Sequence, residues 1–138
     1  MMKLATTLAS SALFAHFVLG AQNFTVQAGY HVIYSYTGET PPADLYTYIE
    51  QGMVGGVVIF GGNVNDSLPE TIAGWQSTYA NSPAYAGSPL LIMTDQEGGE
   101  VSRLPGGPTS SEKEIGESTD PEQAAMNAGT QAAKTLTT

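Results

Sequence analysis

Ser88-Pro89-Leu90-Leu91-Ile92-Met93-Thr94-Asp95-Gln96-Glu97-Gly98-Gly99-Glu100-Val101-Ser102-Arg103-Leu104-Pro105-Gly106-Gly107 is the stretch on which the reading of this chain turns. An apolar run behind a proline and ahead of paired glycines predicts a short buried strand emptying into a loop, with the carboxylates beginning where the apolar side chains stop. Proteins built of alternating strands and helices keep their chemistry at that end of a strand. Arg103 is the single arginine of the chain, and it follows Asp95 by eight positions, across two glycines that let the backbone fold back. One guanidinium is therefore expected near three carboxylates, Asp95, Glu97 and Glu100.

Working upstream, Val54 to Phe60 is a second, nearly continuous apolar run, the pattern of a parallel strand covered on both sides. It is followed by Gly61-Gly62-Asn63. Neither Gly-Lys-Ser/Thr nor Gly-x-Gly-x-x-Gly leads from it into a helix, so a phosphate cradle is a poor reading. Tyr30 to Tyr36 carries the β-branched and aromatic residues of a further strand. A helix is predicted from Pro41-Pro42 to about Gln51, with Leu45, Tyr48 and Ile49 on one face and Gly52 past its end. Another is capped by Asp66 or Ser67 and carries Ile72, Trp75, Gln76 and Tyr79 as far as Asn81-Ser82-Pro83. Trp75 lies in mid-helix on the apolar stripe, which favours the core over a sugar platform. His31 has no His, Cys or Glu partner at ligand spacing and reads as structural. After a loop rich in Gly, Pro, Ser and Glu, Thr119-Asp120-Pro121-Glu122 opens a last, alanine-rich helix to about Leu136.

Strand and helix thus alternate, which is the grammar of a parallel α/β fold with right-handed crossovers. Asp-Gln-Glu-Gly-Gly-x-Val-x-Arg-Leu at a strand's end, with Gly55-Gly56-Val57-Val58-Ile59-Phe60-Gly61-Gly62-Asn63 about one strand-helix unit before it, resembles family 3 glycoside hydrolases. The similarity is to their β-N-acetylglucosaminidase branch, in particular its secreted fungal members, and runs from roughly Gly29 to the end of the chain. It implies an α/β fold comprising about the first three units of a (β/α)8 TIM barrel, with residues 21–138 an N-terminal fragment of the catalytic domain. A full barrel needs on the order of 250 residues.

The resemblance also implies retaining hydrolysis of β-linked N-acetylglucosaminides or β-glucosides through a covalent glycosyl-enzyme. The nucleophile and the acid/base are expected downstream, so no catalytic residue is assigned in this chain. Asp95 matches the family aspartate that holds sugar hydroxyls in the −1 subsite, and Arg103 matches an arginine that shapes the same subsite. Glu97 is left between capping backbone amides of the loop and touching sugar, and the family pattern often has a basic or apolar residue where Glu100 stands. No cofactor or metal is expected, and the partner is a carbohydrate substrate. Asp95 and Glu97 as a self-sufficient acid/base pair fit poorly, since retaining glycosidases place their two carboxyl groups across the bond, about 5 to 5.5 Å apart. A non-catalytic carbohydrate-binding fragment and the β-glucosidase branch are the alternatives.

Composition bounds these readings. The chain of 138 residues is long enough for one domain with a core, and its 41% hydrophobic and 12% charged residues are those of a globular protein. A net charge of −9 argues against nucleic acid and anionic membrane surfaces as partners. With no cysteine there is neither a disulfide framework nor a thiolate zinc site. Lys3 followed by the small and apolar run Leu4 to Leu19 reads as a signal peptide over residues 1–20, too interrupted by Thr, Ser and His for a membrane anchor, and predicts a secreted protein. Two sequons, Asn23-Phe24-Thr25 and Asn65-Asp66-Ser67, fit that route.

Overall fold

In the computed structural model, which describes residues 23–137, the sheet is built around β2 (Gly56–Ile59). It lies between β1 (Ile33–Tyr34) and β3 (Leu91–Thr94), parallel to both, in the order β1-β2-β3. The register sets Tyr34 beside Val57, Val57 beside Ile92, and Ile59 beside Thr94. Side chains alternate along a strand, so these residues share one face. That face is covered by α2 (Ala43–Glu50) and α3 (Leu68–Ala80), which also pack on each other. Leu45, Ile49, Val57 and Trp75 have no exposed surface.

Each helix is placed by its own sequence. Leu45 and Ile49 repeat at four positions and give α2 one buried stripe. Pro69 stands in the first turn of α3, where a missing N–H costs nothing, and Leu68, Trp75 and Tyr79 are its buried residues. Gln76 then fixes α3 to the sheet: its Nε2 donates to the Leu90 carbonyl and its Oε1 accepts from the Leu90 N–H, both at 2.9 Å. Around Trp75, Tyr36 meets the indole edge-on at a centroid distance of 6.1 Å. Burial raises the Tyr36 phenol above its ordinary value, with the neighbouring Tyr46 adding to the effect.

Several expectations are corrected. The lead-in before Tyr30 contains a helix, α1 (Phe24–Gly29), capped by Asn23, and the first strand is two residues long rather than seven. The second face of the sheet is not covered by the described residues. On it Ile33, 42% exposed, and Leu91, 53% exposed, flank Gly56 in the register. The apolar run of β2 therefore reflects one buried face and one open one. The signal-peptide reading lies outside the described residues.

The expected partial (β/α)8 TIM barrel is not what the chain forms. The described residues make an open three-stranded sheet with short strands, five helices, and a separate two-stranded ribbon. After β3 the chain does not cross over through a helix. It turns back at once as an antiparallel hairpin of β4 (Gln96–Gly98) and β5 (Val101–Ser102), and only then forms α4 (Glu112–Gly116) and α5 (Pro121–Leu136). The local cause is the Gly98-Gly99 pair, with φ of +90° and +58°, which reverses the backbone where a β-carbon would be strained. At Gly98 a β-carbon would also collide with the Ser110 carbonyl oxygen.

Trp75→Ala should cost roughly 3–5 kcal/mol, since it empties a fully buried position in the core the helices share with the sheet. A shift of the urea midpoint by less than a third of that amount would show the surroundings collapsing into the space.

Candidate functional site

The carboxyl ends of β2 and β3 lie side by side, because Ile59 pairs with Thr94 and the Thr94 hydroxyl donates to the Ile59 carbonyl at 2.8 Å. The next residues in the two strands are Phe60 and Asp95. Asp95 is exposed, and its carboxylate takes no hydrogen bond from the described residues. Arg103 reaches the same end from β5: its guanidinium carbon lies 5.9 Å from the centre of the Phe60 ring, within cation–π range. Asp95 and Arg103 are thus at the same end of the sheet, around Phe60.

They are not paired. No salt bridge joins Arg103 to Asp95, Glu97 or Glu100 among the described residues, and the Arg103 Nε is buried without a hydrogen-bond partner. The guanidinium expected to orient a carboxylate is held instead by an aromatic face. Glu97 and Glu100 are exposed on the hairpin and cap none of its amides. The hairpin is held by a residue that the sequence reading passed over.

That residue is Gln96. Its Oε1 accepts from the N–H groups of Arg103 and Leu104, each at 2.9 Å. Its Nε2 donates to the Ser102 hydroxyl at 2.9 Å and lies 3.2 Å from the carbonyls of Leu104 and Gly107, so its two protons are shared among three acceptors. A carboxylate could supply only the accepting half. Gln96 alternates with Asp95 and Glu97 along the strand, so its side chain turns away from the two acids. An amide standing alone between two acids, where the chain must reverse, is the signal that could have found it.

Asn63 acts similarly at the exit of β2, at the end of a 3-10 turn (Gly61–Asn63). It is buried, accepts from the Phe60 N–H at 2.8 Å, and donates to the carbonyls of Tyr36 at 3.0 Å and Gly38 at 2.8 Å. The backbone of Phe60 is fixed in this way, and with it the ring under Arg103. On the other side, α5 closes on the hairpin's continuation. The Gly107 N–H donates to the Thr135 hydroxyl at 3.0 Å, and a β-carbon on Gly107 would come within 2.5 Å of the Gln131 amide oxygen.

The turn of the hairpin rests on the start of α4: the Gly99 N–H donates to the Thr109 carbonyl at 3.0 Å, and a β-carbon on Gly99 would press on the Ser111 side chain. Ser111 and Glu114 make a reciprocal cap: the Ser111 N–H and hydroxyl donate to the Glu114 carboxylate at 2.8 and 2.9 Å, and the hydroxyl accepts from the Glu114 N–H at 3.3 Å. The backbone bond first, and the hydroxyl bond second, hold the Glu114 carboxyl below its ordinary range. Bonds to the charged form stabilise the fold above the unfolded carboxylate range, and that contribution is lost as pH falls through the folded value.

A hollow of about 770 Å3 lies between α3, β3 and the end of α5, with Ile72, Ile92, Leu104 and Leu136 among its walls. It is lined by no ionisable side chain, and neither Asp95 nor Arg103 borders it. His31 is exposed after α1, far in sequence from either acid, and among the described residues no group of three His, Cys, Asp or Glu side chains could hold a metal ion.

No family model matches the chain. A protein of Arthroderma benhamiae described as an uncharacterized secreted glycosyl hydrolase is 53% identical over 116 residues, which is 84% of this chain and 33% of that protein. The chain thus spans about a third of the length of the curated relative it matches. Among solved structures, it is similar to one described as a fungal multi-domain GH3 β-N-acetylglucosaminidase with a unique GCN5-related glucosamine N-acetyltransferase region. The TM-score is 0.51 at 25% identity, over 59% of this chain and 10% of that one. That description names an acetyltransferase-like region and not a barrel, consistent with the open sheet found here. The resemblance is to glycosyl hydrolases as a class. The protein is secreted, like this relative, and among the described residues no helix is long and apolar enough to cross a membrane.

Gln96→Leu should keep the volume and remove all the hairpin's side-chain bonds. The amide protons of Arg103 and Leu104 are expected to exchange at least tenfold faster, while those of β2 stay protected; unchanged protection at 103 and 104 would show that the hairpin is held otherwise. Ser111→Ala should raise the midpoint of Glu114 only part of the way to an ordinary carboxylate value, because the backbone N–H of residue 111 still donates; side-chain carbonyl NMR through a pH titration reads this directly.

Proposed function

We propose that this chain supplies the sugar-gripping wall of a retaining β-N-acetylglucosaminidase of family 3 type, whose bond-cutting groups lie outside it. The observation that supports this most is a carboxylate with no structural task, Asp95, one strand away from Phe60 and its overlying Arg103 at the carboxyl end of the sheet. Its two oxygens can accept from adjacent ring hydroxyls, and bonds to a charged acceptor are about twice as strong as neutral ones. Phe60, 39% exposed, offers an apolar surface to the C–H face of the ring. Arg103, over the same ring, brings donors for the sugar's oxygens without a carboxylate competing for them.

The mechanism asks this chain for binding that strengthens as the ring distorts. Hydroxyl contacts that tighten in the transition state lower the barrier, whereas contacts equal in both states lower only KM. Asp95 meets this need because it is anchored by the strand behind it and by Gln96 after it, while its own oxygens remain unspent. The family's covalent step requires an aspartate nucleophile and an acid/base that this chain does not provide. The relatives' printed descriptions, a glycosyl hydrolase and a β-N-acetylglucosaminidase, support the reaction class. A non-catalytic carbohydrate-binding role would use the same residues.

For the 138-residue chain, N-acetylglucosamine should perturb the amides of Phe60, Asp95, Gln96 and Arg103 at millimolar concentration, without turnover of p-nitrophenyl β-N-acetylglucosaminide. Asp95→Ala should abolish the perturbation. In an enzyme that contains this chain together with its catalytic groups, the same substitution should lower kcat/KM by about 100-fold or more, some 3 kcal/mol of transition-state stabilisation. Unchanged kcat/KM would leave Asp95 as a turn residue; binding by the chain with no effect in the larger enzyme would favour the binding-only role.

A further inference from the structure

The two Asn-x-Ser/Thr sequons are treated differently by the fold. We propose that Asn23 carries an N-linked glycan in the secreted protein, and that Asn65 stays an unmodified carboxamide with a structural task. The acceptor atom in each case is the side-chain Nδ2, so what surrounds that atom decides.

At Asn65 both Nδ2 protons are in use. The atom donates to the Glu39 carbonyl at 3.1 Å and lies 3.4 Å from the Asn63 carbonyl. An N–C bond of about 1.5 Å laid along either N–H direction would bring the sugar's C1 to roughly half the 3.3 Å at which carbon and carbonyl oxygen normally touch. Rotating the amide away would release its other bonds: Oδ1 accepts from the Ser67 N–H at 2.8 Å and from the Ser67 hydroxyl at 2.6 Å. Those bonds shape the entry to α3, and the neighbouring Asn63 is the buried clamp of the β2 exit. A glycan on Asn65 therefore opposes the fold at a point next to the candidate site.

Asn23 presents the opposite arrangement. Its Oδ1 caps α1, accepting from the N–H groups of Thr25 at 3.2 Å and Val26 at 3.4 Å, and among the described residues its Nδ2 makes no hydrogen bond. Residues 23–25 are all exposed, Phe24 at 80% being the most exposed large apolar side chain described. A sugar on Nδ2 would replace a water-facing proton, leave the oxygen cap in place, and shield Phe24 from other chains. The Oδ1 bonds are needed by the helix, and the nitrogen is not.

The donor is a lipid-linked oligosaccharide pyrophosphate of the secretory pathway. The Nδ2–C1 bond forms as the C1–O bond to the pyrophosphate breaks; the pyrophosphate leaves with the electron pair, the amide loses one proton to it, and nothing is oxidised or reduced. Transfer to a chain not yet folded can reach either sequon. A chain modified at Asn65 must then fold without the Asn65 bonds, so it is depleted from the secreted pool.

The full chain, expressed in a eukaryotic secretory host, is treated with peptide N-glycosidase in heavy-oxygen water and its peptides are mapped by mass spectrometry. Heavy oxygen is expected at position 23 in the secreted protein, with residue 65 unlabelled, and any label at 65 confined to the cell-retained pool. Asn23→Gln should abolish the gel-mobility change caused by the glycosidase, and Asn65→Gln should leave it. Label at 65 in the secreted protein, at both positions, or at neither would overturn the proposal. Because the mapping uses the parent chain, it does not depend on either variant folding.

Discussion

Short strands leave backbone groups without partners, and in this protein three side-chain amides meet that need. β1 to β3 are only two to four residues long, so each ladder ends soon and its exits must find donors and acceptors elsewhere. Asn63 closes the exits of β1 and β2, Gln76 fixes the entry to β3, and Gln96 folds the chain leaving β3 back upon itself. An amide suits this because one planar group both donates and accepts, as a peptide does. A hydroxyl is too short and a carboxylate lacks the donor.

The division of labour follows from this. With the amides holding the backbone, Asp95 is spared structural bonds although it stands between a strand and a hairpin, where an acid would often be consumed as a cap. Arg103 is spared too: its backbone is gripped by Gln96 and its guanidinium rests on Phe60, so its charge is not neutralised by the acids around it. In a chain of net charge −9, the lone arginine is thus unpaired at the same end of the sheet as an aspartate that carries no structural bond. The apolar hollow beside α3 has volume without that chemistry.

Much of this was legible from the residues. Helix α2, helix α3, the strands around Val57 and Ile92, and the burial of Trp75 follow from periodicities and breakers that act within a few residues of one another. The position of Asp95 at a strand end follows from the switch between apolar and acidic residues. Helix α1 was hidden because its short sequence has little periodicity, and Asn23 reads as a loop residue until it is seen capping. The hairpin was hidden because Gln96 to Gly98 has no alternation of apolar side chains; its pairing is decided by a glycine reversal and by one amide reaching as far as Gly107.

The sequence by itself determined the helices α2, α3 and α5, the strands around Val57 and Ile92, the burial of Trp75, and that an acid stands where the third strand ends, with a lone arginine soon after it. Only the tertiary structure decided that the sheet stays open on one face, that Arg103 lies on Phe60 rather than against a carboxylate, and that Gln96 rather than Glu97 holds the loop. The physical reason is range. Propensity and periodicity are summed over neighbours in the chain, whereas the partner of a guanidinium or an amide is chosen among groups brought close only after β2 and β3 have paired and α5 has closed over Gly107.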